Sequence, residues 1–118
     1  MIYLKNYLSK NRLFLFWNVG KFAFEMQKRR GVEDKKIANY LQYYFGMTEM
    51  FSCANIRKMK YFYLCFPIYT KHLEYLDWNY YLKLISIRDK SLRMFYYQVA
   101  IFSRCDYDTF LSLIQEKR

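Results

Sequence analysis

Hydrophobic positions in this chain recur at intervals of three and four residues, which is the spacing of an α-helix. The clearest segments are residues 2–30, 33–45 and 52–66, and three shorter ones follow. No stretch alternates between polar and apolar residues as a half-buried strand does. The pattern therefore predicts an all-α fold, a compact single domain of about five to six helices over residues 1–118. The connections 46–52 and 67–77 leave room for a small two-stranded wing.

The first segment is predicted to form one long helix, or two helices with a joint near Ser9–Asn11. Gly20 lies on its apolar face beside Trp17, and a glycine there lets a second helix approach closely. The segment ends in a run of cations before Gly31. Cationic side chains suit the negative end of a helix dipole, and glycine ends a helix.

The second and third segments follow the order of a helix-turn-helix, and they predict a variant of it over about 33–66, because the connection 46–51 is longer than the tightest turns of this type. Glu33–Phe45 has acidic residues in its first turn, and Gly46 can take the left-handed conformation that ends a helix. Ser52 is the predicted N-cap of the next helix, and Pro67 ends it. The apolar stripe predicted for Glu33–Phe45 consists of Ile37, Tyr40, Leu41, Tyr44 and Phe45.

The helix from Ser52 to Phe66 carries two kinds of face. Its predicted buried stripe consists of Ile56, Met59, Tyr63 and Phe66. The remaining circumference has an amide, a phenol and cations, which is the set that meets base edges and phosphates in a DNA groove. These residues are Asn55, Arg57, Lys58, Lys60 and Tyr61. A core helix with a solvated basic face is the competing interpretation.

After Pro67, helices are predicted to begin at Asp77, at Asp89 or Ser91, and at Asp106 or Asp108, since aspartate and serine cap helices. The predicted buried stripe of the second of these helices consists of Leu92, Phe95, Tyr96, Val99 and Phe102.

Positive charge is concentrated in the first half of the chain. The net charge is +10, and residues 1–60 have twelve Lys and Arg against four Asp and Glu. Such a field attracts a polyanion, although it could also serve solubility alone. If the polyanion is DNA, the cations predicted to neutralise its phosphates are Lys28, Arg29, Arg30, Lys35, Lys36 and Lys60.

The central run of the sequence resembles a known family. Phe45-Gly46, Phe51-Ser52, Phe62-Tyr63, Phe66-Pro67 and the stretch Asn55–Met59 look like the N-terminal domain of YhcG-type proteins. In that family the domain precedes a PD-(D/E)xK nuclease domain and is regarded as a helical, winged-helix-like DNA-binding module. The resemblance therefore implies DNA contact. It does not imply nuclease activity here, because these residues contain no counterpart of the nuclease half. Tyr80 and Asp106-Tyr107 depart from the family pattern.

Few residues could support catalysis or hold a cofactor. The three cysteines lack C-x-x-C spacing and are expected to be reduced thiols, and the single histidine, His72, has no metal-ligand cluster around it. No glycine-rich phosphate loop or nucleophile–histidine pair is present. We expect no enzyme activity, metal or cofactor. The most apolar stretch, Leu13–Phe24, is too short for a membrane span and lacks a cleavage site, which favours a cytoplasmic protein.

The leading hypothesis is a sequence-recognising protein that binds double-stranded DNA, as a regulator or as an accessory protein of a mobile element. A second hypothesis is a protein-interaction module that docks onto a nuclease or another partner. Dimerisation is compatible with either, because two copies would engage two half-sites. A third hypothesis is binding of RNA or single strands through stacked tyrosines.

Overall fold

The computed structural model describes residues 2–46 and 49–116, with side chains described for 12–46 and 49–115. These residues form six α-helices and a 3₁₀ turn at Lys71–Tyr75. The helices are α1 (Ile2–Arg30), α2 (Asp34–Phe45), α3 (Cys53–Cys65), α4 (Trp78–Leu84), α5 (Lys90–Ser103) and α6 (Tyr107–Glu116). The predicted all-α fold is confirmed, and no strand forms in the part of the chain that the structure describes.

The chain divides into two compact units, Met1–Tyr69 and Thr70–Arg118. The first contains α1, α2 and α3, and the second contains the 3₁₀ turn and the last three helices. A single domain over 1–118 stays a prediction. No wing forms in 67–77, which turns into the 3₁₀ segment, and residues 47 and 48 of the other candidate connection lie outside the described residues.

In the first unit, α1 is one unbroken helix, so the alternative with a joint near Ser9–Asn11 is wrong. It packs on α3 at the predicted glycine. A Cβ atom at Gly20 would lie far inside van der Waals contact of the Met59 carbonyl oxygen, so only glycine allows this approach. The Trp17 Nε1 donates a hydrogen bond to the Phe66 carbonyl, 2.7 Å away, and holds the end of α3 against α1.

The predicted ends of α2 and α3 are confirmed. Gly46 has φ 65° and its N–H bonds to the Gln42 carbonyl, which closes α2. The Ser52 hydroxyl accepts a hydrogen bond from the Asn55 N–H at 3.2 Å and caps α3. The side-chain amide of Gln42, in α2, donates a hydrogen bond to the Phe51 carbonyl at 2.9 Å and so ties α2 to the turn before α3. The helix-turn-helix interpretation of these segments stays a prediction.

Two predicted stripes are wrong in part. In α2, Ile37, Ala38 and Leu41 are buried, whereas Tyr40 and Tyr44 are exposed. In α3, Phe62 is fully buried, and Tyr63 is only half-buried. The apolar arc of each helix is wider than the face its neighbours cover. Phenol hydroxyls can remain in water, so tyrosines lie at the edge of the covered face.

In the second unit, the Asp89 side chain caps α5 by accepting from the Leu92 N–H at 3.0 Å, and the Asp106 side chain accepts from the Thr109 N–H at 2.8 Å at the start of α6. The fully buried side chains of the second unit include Tyr81, Leu84 and Phe110.

The predicted buried stripe of α5 is wrong except for Tyr96. Tyr96 and Ala100 are buried one helical turn apart, whereas Leu92, Phe95 and Phe102 are exposed, Phe102 by 82%. Val99 is half-buried. The apolar residues of α5 occupy more of its circumference than one packed face requires. Periodicity alone could not decide which part of that arc would be covered.

Candidate nucleic-acid interface

The exposed face of α3 carries the side chains that the sequence assigns to DNA bases. Arg57, Lys58 and Tyr61 are exposed and follow one another around one side of the helix. Asn55 is half-buried, and its amide donates to the Glu49 carbonyl at 3.0 Å. Ser52 contributes its hydroxyl to the cap of α3, so it positions the first turn. The buried side, with Ile56, Met59 and Phe62, faces away from these groups.

A polar junction ties α1, α2 and α3 together beside this face. The carboxylate of Asp34 accepts from Lys60 Nζ at 2.8 Å and from Arg57 Nε at 3.3 Å. Gln27, from α1, donates its amide N–H to the same carboxylate and accepts from Lys60 Nζ at 2.6 Å. The junction therefore joins the end of α1, the start of α2 and the middle of α3.

The junction keeps Asp34 ionised. Burial acts to raise the pKa of the Asp34 carboxyl, but the hydrogen bonds from Lys60 and Gln27 and the charge of Lys60 outweigh it. The pKa of Asp34 therefore lies below its ordinary value of 3.8. A carboxylate that remains charged can hold both cations of α3 across the physiological range.

The two cations at the junction differ in what they leave for a ligand. The side chain of Lys60 is only 15% exposed, and its ammonium is directed at Asp34 and Gln27. Lys60 is therefore not part of the candidate interface, because its charge is already paired with Asp34 and hydrogen-bonded to Gln27. The Arg57 side chain is 62% exposed. Its contact with Asp34 uses Nε, so the outer guanidinium edge faces solvent.

Five further predicted cations surround the junction. We call them the basic corner. All five are exposed, three in the last turn of α1 and two in the first turn of α2. They are Lys28, Arg29, Arg30, Lys35 and Lys36. The chain reverses between them at Gly31, which has φ 63°. Because Gln27 and Asp34 meet Lys60 and Arg57, the basic corner lies next to the α3 face.

A shallow pocket of about 370 Å³ opens at the basic corner. Its lining includes Arg30, Lys35, Lys36 and Asn39, with the exposed Glu33 as the acidic member. Such a concave, mostly cationic surface fits a phosphate oxygen better than a flat one, because several donors can approach the same anion.

The sequence did not predict a row of exposed aromatic rings on the first unit. We call Phe22, Tyr40, Tyr43 and Tyr44 the aromatic strip. The sequence pattern assigns Tyr40 and Tyr44 to the apolar stripe of α2 and gives Phe22 and Tyr43 no role. The sequence does contain a signal for this strip. Tyrosines at 40, 43 and 44, added to the aliphatic residues of the same helix, are more apolar side chains than a helix of this length can bury on one face.

The structure offers little for catalysis in the residues it describes. No group of three or more His, Cys, Asp or Glu side chains lies close enough to hold a metal ion there. His72 makes an edge contact with the Tyr75 ring, and no disulfide joins Cys53, Cys65 and Cys105. Within the same described range, no helix has both the length and the hydropathy to cross a membrane.

Fold and surface together define a class: an all-helical domain whose cations collect where three helices meet. The sequence model of the DUF1016 N-terminal domain matches residues 5–118. The chain therefore belongs to the DUF1016 N-terminal domain family, which confirms the resemblance to the N-terminal domain of YhcG-type proteins. No curated protein and no solved structure matches the chain.

Proposed function

We propose that this protein binds double-stranded DNA, with the exposed face of α3 in the major groove and the basic corner on the flanking phosphates. One observation carries the proposal. The junction of Asp34 with Arg57 and Lys60 brings the side chains suited to bases and those suited to phosphates onto adjacent surfaces. A groove-binding helix needs this combination, since phosphate contacts set its register and base contacts give specificity.

The dimensions and chemistry of α3 suit this role. Its thirteen residues extend for about 20 Å, and the major groove is about 12 Å wide and admits one α-helix. Arg57 and Lys58 can donate to guanine, Asn55 can pair with adenine, and the Tyr61 ring can contact a thymine methyl group. The basic corner supplies the sequence-independent part of the affinity.

Under this proposal the protein acts in the cytoplasm, where thiols remain reduced and DNA is accessible. A regulator that occupies an operator needs only a helix that contacts bases and cations that contact the flanking phosphates. An accessory protein of a mobile element, which marks a site for another enzyme, is the second biological setting that the same chemistry serves. In neither setting does the domain itself need to catalyse a reaction.

The direct test is to titrate the protein into a labelled duplex of random sequence at several salt concentrations and to measure binding by fluorescence anisotropy. With about five phosphates neutralised per protomer, log K should fall against log salt with a slope of about −4 to −5. No binding near ~100 mM salt, or binding that hardly changes with salt, would contradict the proposal. A selection from a random duplex library would then measure sequence preference.

The exposed apolar face of α5 favours a second candidate function, docking of a protein. Leu92, Phe95 and Phe102 are exposed on one side of α5, and monomeric proteins rarely expose a large apolar patch without a use. The partner would be a nuclease subunit or a second copy of this chain. If the titration shows no DNA binding and the protein sediments as a concentration-dependent dimer, this function takes precedence.

A further inference from the structure

The aromatic strip forms a continuous ladder of rings on the first unit. Tyr40 stacks on Phe22 of α1 with ring centroids 6.2 Å apart and planes at 29°. Tyr40 also contacts Tyr44 at 4.9 Å, and Tyr44 contacts Tyr43 at 6.2 Å. Tyr43 is 87% exposed. These rings support one another at their edges and leave their outer surfaces open to solvent.

The strip is continuous with the basic corner. Lys36 precedes Tyr40 by four residues on α2, so the two side chains lie on the same side of the helix. Tyr40 and Tyr44 follow Lys36 by four and eight residues, which places them about 6 and 12 Å further along the axis. A strand whose phosphates contact the basic corner would therefore meet Lys36 first and the rings next.

The composition of α2 distinguishes this surface from a protein-docking face. Its exposed residues are Lys35, Lys36, Asn39, Tyr40, Tyr43 and Tyr44, without an exposed aliphatic or acidic side chain. Protein interfaces share the aromatic side chains but are depleted in lysine relative to the rest of the surface, whereas two lysines flank these rings. Exposed rings that continue a cationic turn are the combination found on surfaces that stack bases and neutralise the backbone phosphates.

Charge complementarity supports the same occupant. The first unit, Met1–Tyr69, has twelve Lys and Arg against four Asp and Glu. The Tyr40 phenol is uncharged at physiological pH, because the ordinary pKa of tyrosine is about 10 and the neighbouring Tyr44 raises the pKa of Tyr40 further, so the ring does not repel phosphate. Stacking requires only a ring face, and every base has one.

We propose that the aromatic strip binds the unpaired bases of a DNA strand, and that the preferred ligand is a duplex that continues as a single-stranded overhang. The duplex arm of this ligand rests on the function proposed above. In the bound state the α3 face and the basic corner hold the duplex, and two or more bases of the strand beyond it stack on Tyr40, Tyr43 and Tyr44.

The test compares two ligands with the same duplex, one blunt and one with an overhang of about eight nucleotides, within the ~4–16 that a compact domain covers. The wild-type protein should bind the overhang ligand at least about tenfold more tightly, the gain expected from one stacked base. The double variant Tyr40→Leu/Tyr44→Leu should lose that gain and keep its affinity for the blunt duplex. Tyr40→Phe/Tyr44→Phe should retain the gain.

The leucine and phenylalanine variants separate stacking from hydrophobic docking, because both are apolar and only one has a ring. Tyr75→Leu is the matched control, since Tyr75 of the second unit is 70% exposed, close to the 66% of Tyr44, and its replacement should not alter either affinity. Circular dichroism and thermal unfolding establish that each variant is folded. If the leucine variant fails to fold, Tyr43→Ala takes its place, because that ring is almost entirely in solvent.

The possible outcomes separate this inference from the proposed function. Equal affinities for blunt and overhang ligands overturn the inference and leave duplex binding intact. Tight binding of the isolated single strand with no affinity for blunt duplex overturns the proposed function and supports the strip as a base-stacking surface. An RNA overhang preferred over the DNA overhang of the same sequence overturns the assignment to DNA.

Discussion

Asp34 is the residue on which the candidate interface depends most. Its carboxylate is shared between Arg57 and Lys60, and Gln27 completes the set of donors around it. The side chain is only 16% exposed. A charged group in such a position stabilises the fold only while its partners remain in place, because removing one of them leaves a partly buried charge without compensation.

Protonation of Asp34 should therefore weaken the fold at acid pH. The folded-state pKa lies below 3.8, so the stabilisation is fully present above that value and is lost as the pH falls through the folded-state pKa. Asp34→Asn should lower the free energy of unfolding at pH 7 by about 1–3 kcal/mol. It should also flatten the acid limb of the stability curve, measured by urea denaturation at several pH values.

Glu49→Gln is the control for that measurement. It removes the same charge from an exposed side chain in the turn before α3. This variant should leave the stability at pH 7 within about 0.5 kcal/mol of the wild type. Equal losses in the two variants would show that net charge, and not the junction, determines the effect.

Lys58 and Lys60 should behave differently although they are neighbours on one helix. Lys58→Gln removes an exposed cation that the proposal places on a base edge, so it should cost about 1–3 kcal/mol of affinity for the preferred duplex and leave the stability unchanged. Lys60→Gln breaks the junction and should reduce stability instead, with little direct effect on DNA affinity. Anisotropy titrations and urea denaturation of both variants test this assignment. A larger loss of affinity for Lys60→Gln than for Lys58→Gln would return Lys60 to the interface.

At the scale of the elements, the crossing of α1 and α3 sets the position of the basic face. Gly20 allows the two backbones to approach, and the Trp17 hydrogen bond holds the last turn of α3. The cap at Ser52 and the closure at Gly46 then determine where α3 begins relative to α2. The exposed face of α3 is thus oriented by contacts on its opposite side.

Gly20→Ala should be among the most damaging small substitutions in this protein. The added methyl group would meet the Met59 backbone carbonyl, which cannot move without displacing α3. We expect a loss of about 1–3 kcal/mol or more in the free energy of unfolding, as for overpacked cores. Chemical denaturation followed by circular dichroism measures it.

Gly31→Ala makes the matched comparison. A Cβ at Gly31 meets nothing within 4 Å, so the only cost is the left-handed backbone, φ 63°. That cost is about 1–2 kcal/mol for an L-residue, and DNA affinity should change little. If Gly20→Ala costs no more than Gly31→Ala, the close approach of α1 and α3 is not needed for stability.

At the scale of the whole molecule, charge divides with the two units. The first has a net charge of +8 and the second, Thr70–Arg118, has eight cations against six acids, or +2. The second unit is therefore a weak electrostatic partner for DNA, and its exposed apolar residues on α5 suit a different kind of contact.

This division predicts which cations determine the salt dependence. The triple substitution of Lys28, Arg29 and Arg30 by glutamine should reduce the magnitude of the salt slope by about 2–3, from about 0.9 per phosphate contact. The matched triple variant replaces Lys71, Arg88 and Lys90, exposed cations of the second unit, and should change the slope by less than about 1. Equal reductions would show that affinity follows total charge and not the basic corner.

The helical fold and the ends of its helices can be predicted from the sequence alone. The spacing of apolar residues, the glycines at 31 and 46 and the caps at Ser52 and Asp89 are local features, and each acts through backbone geometry within a few residues. The exposure of Arg57 and Lys58 and the close contact at Gly20 were predicted in the same way. The family follows from the sequence as well.

Packing between helices determines which part of each apolar arc is covered. It left Phe95 and Phe102 of α5 in solvent, turned Lys60 towards Asp34 and exposed the tyrosines of α2. Each outcome depends on a neighbouring helix many residues away, and a periodic pattern contains no information about where that neighbour lies. A residue at the edge of an apolar arc can face either the core or the solvent, and packing against the neighbouring helix determines which.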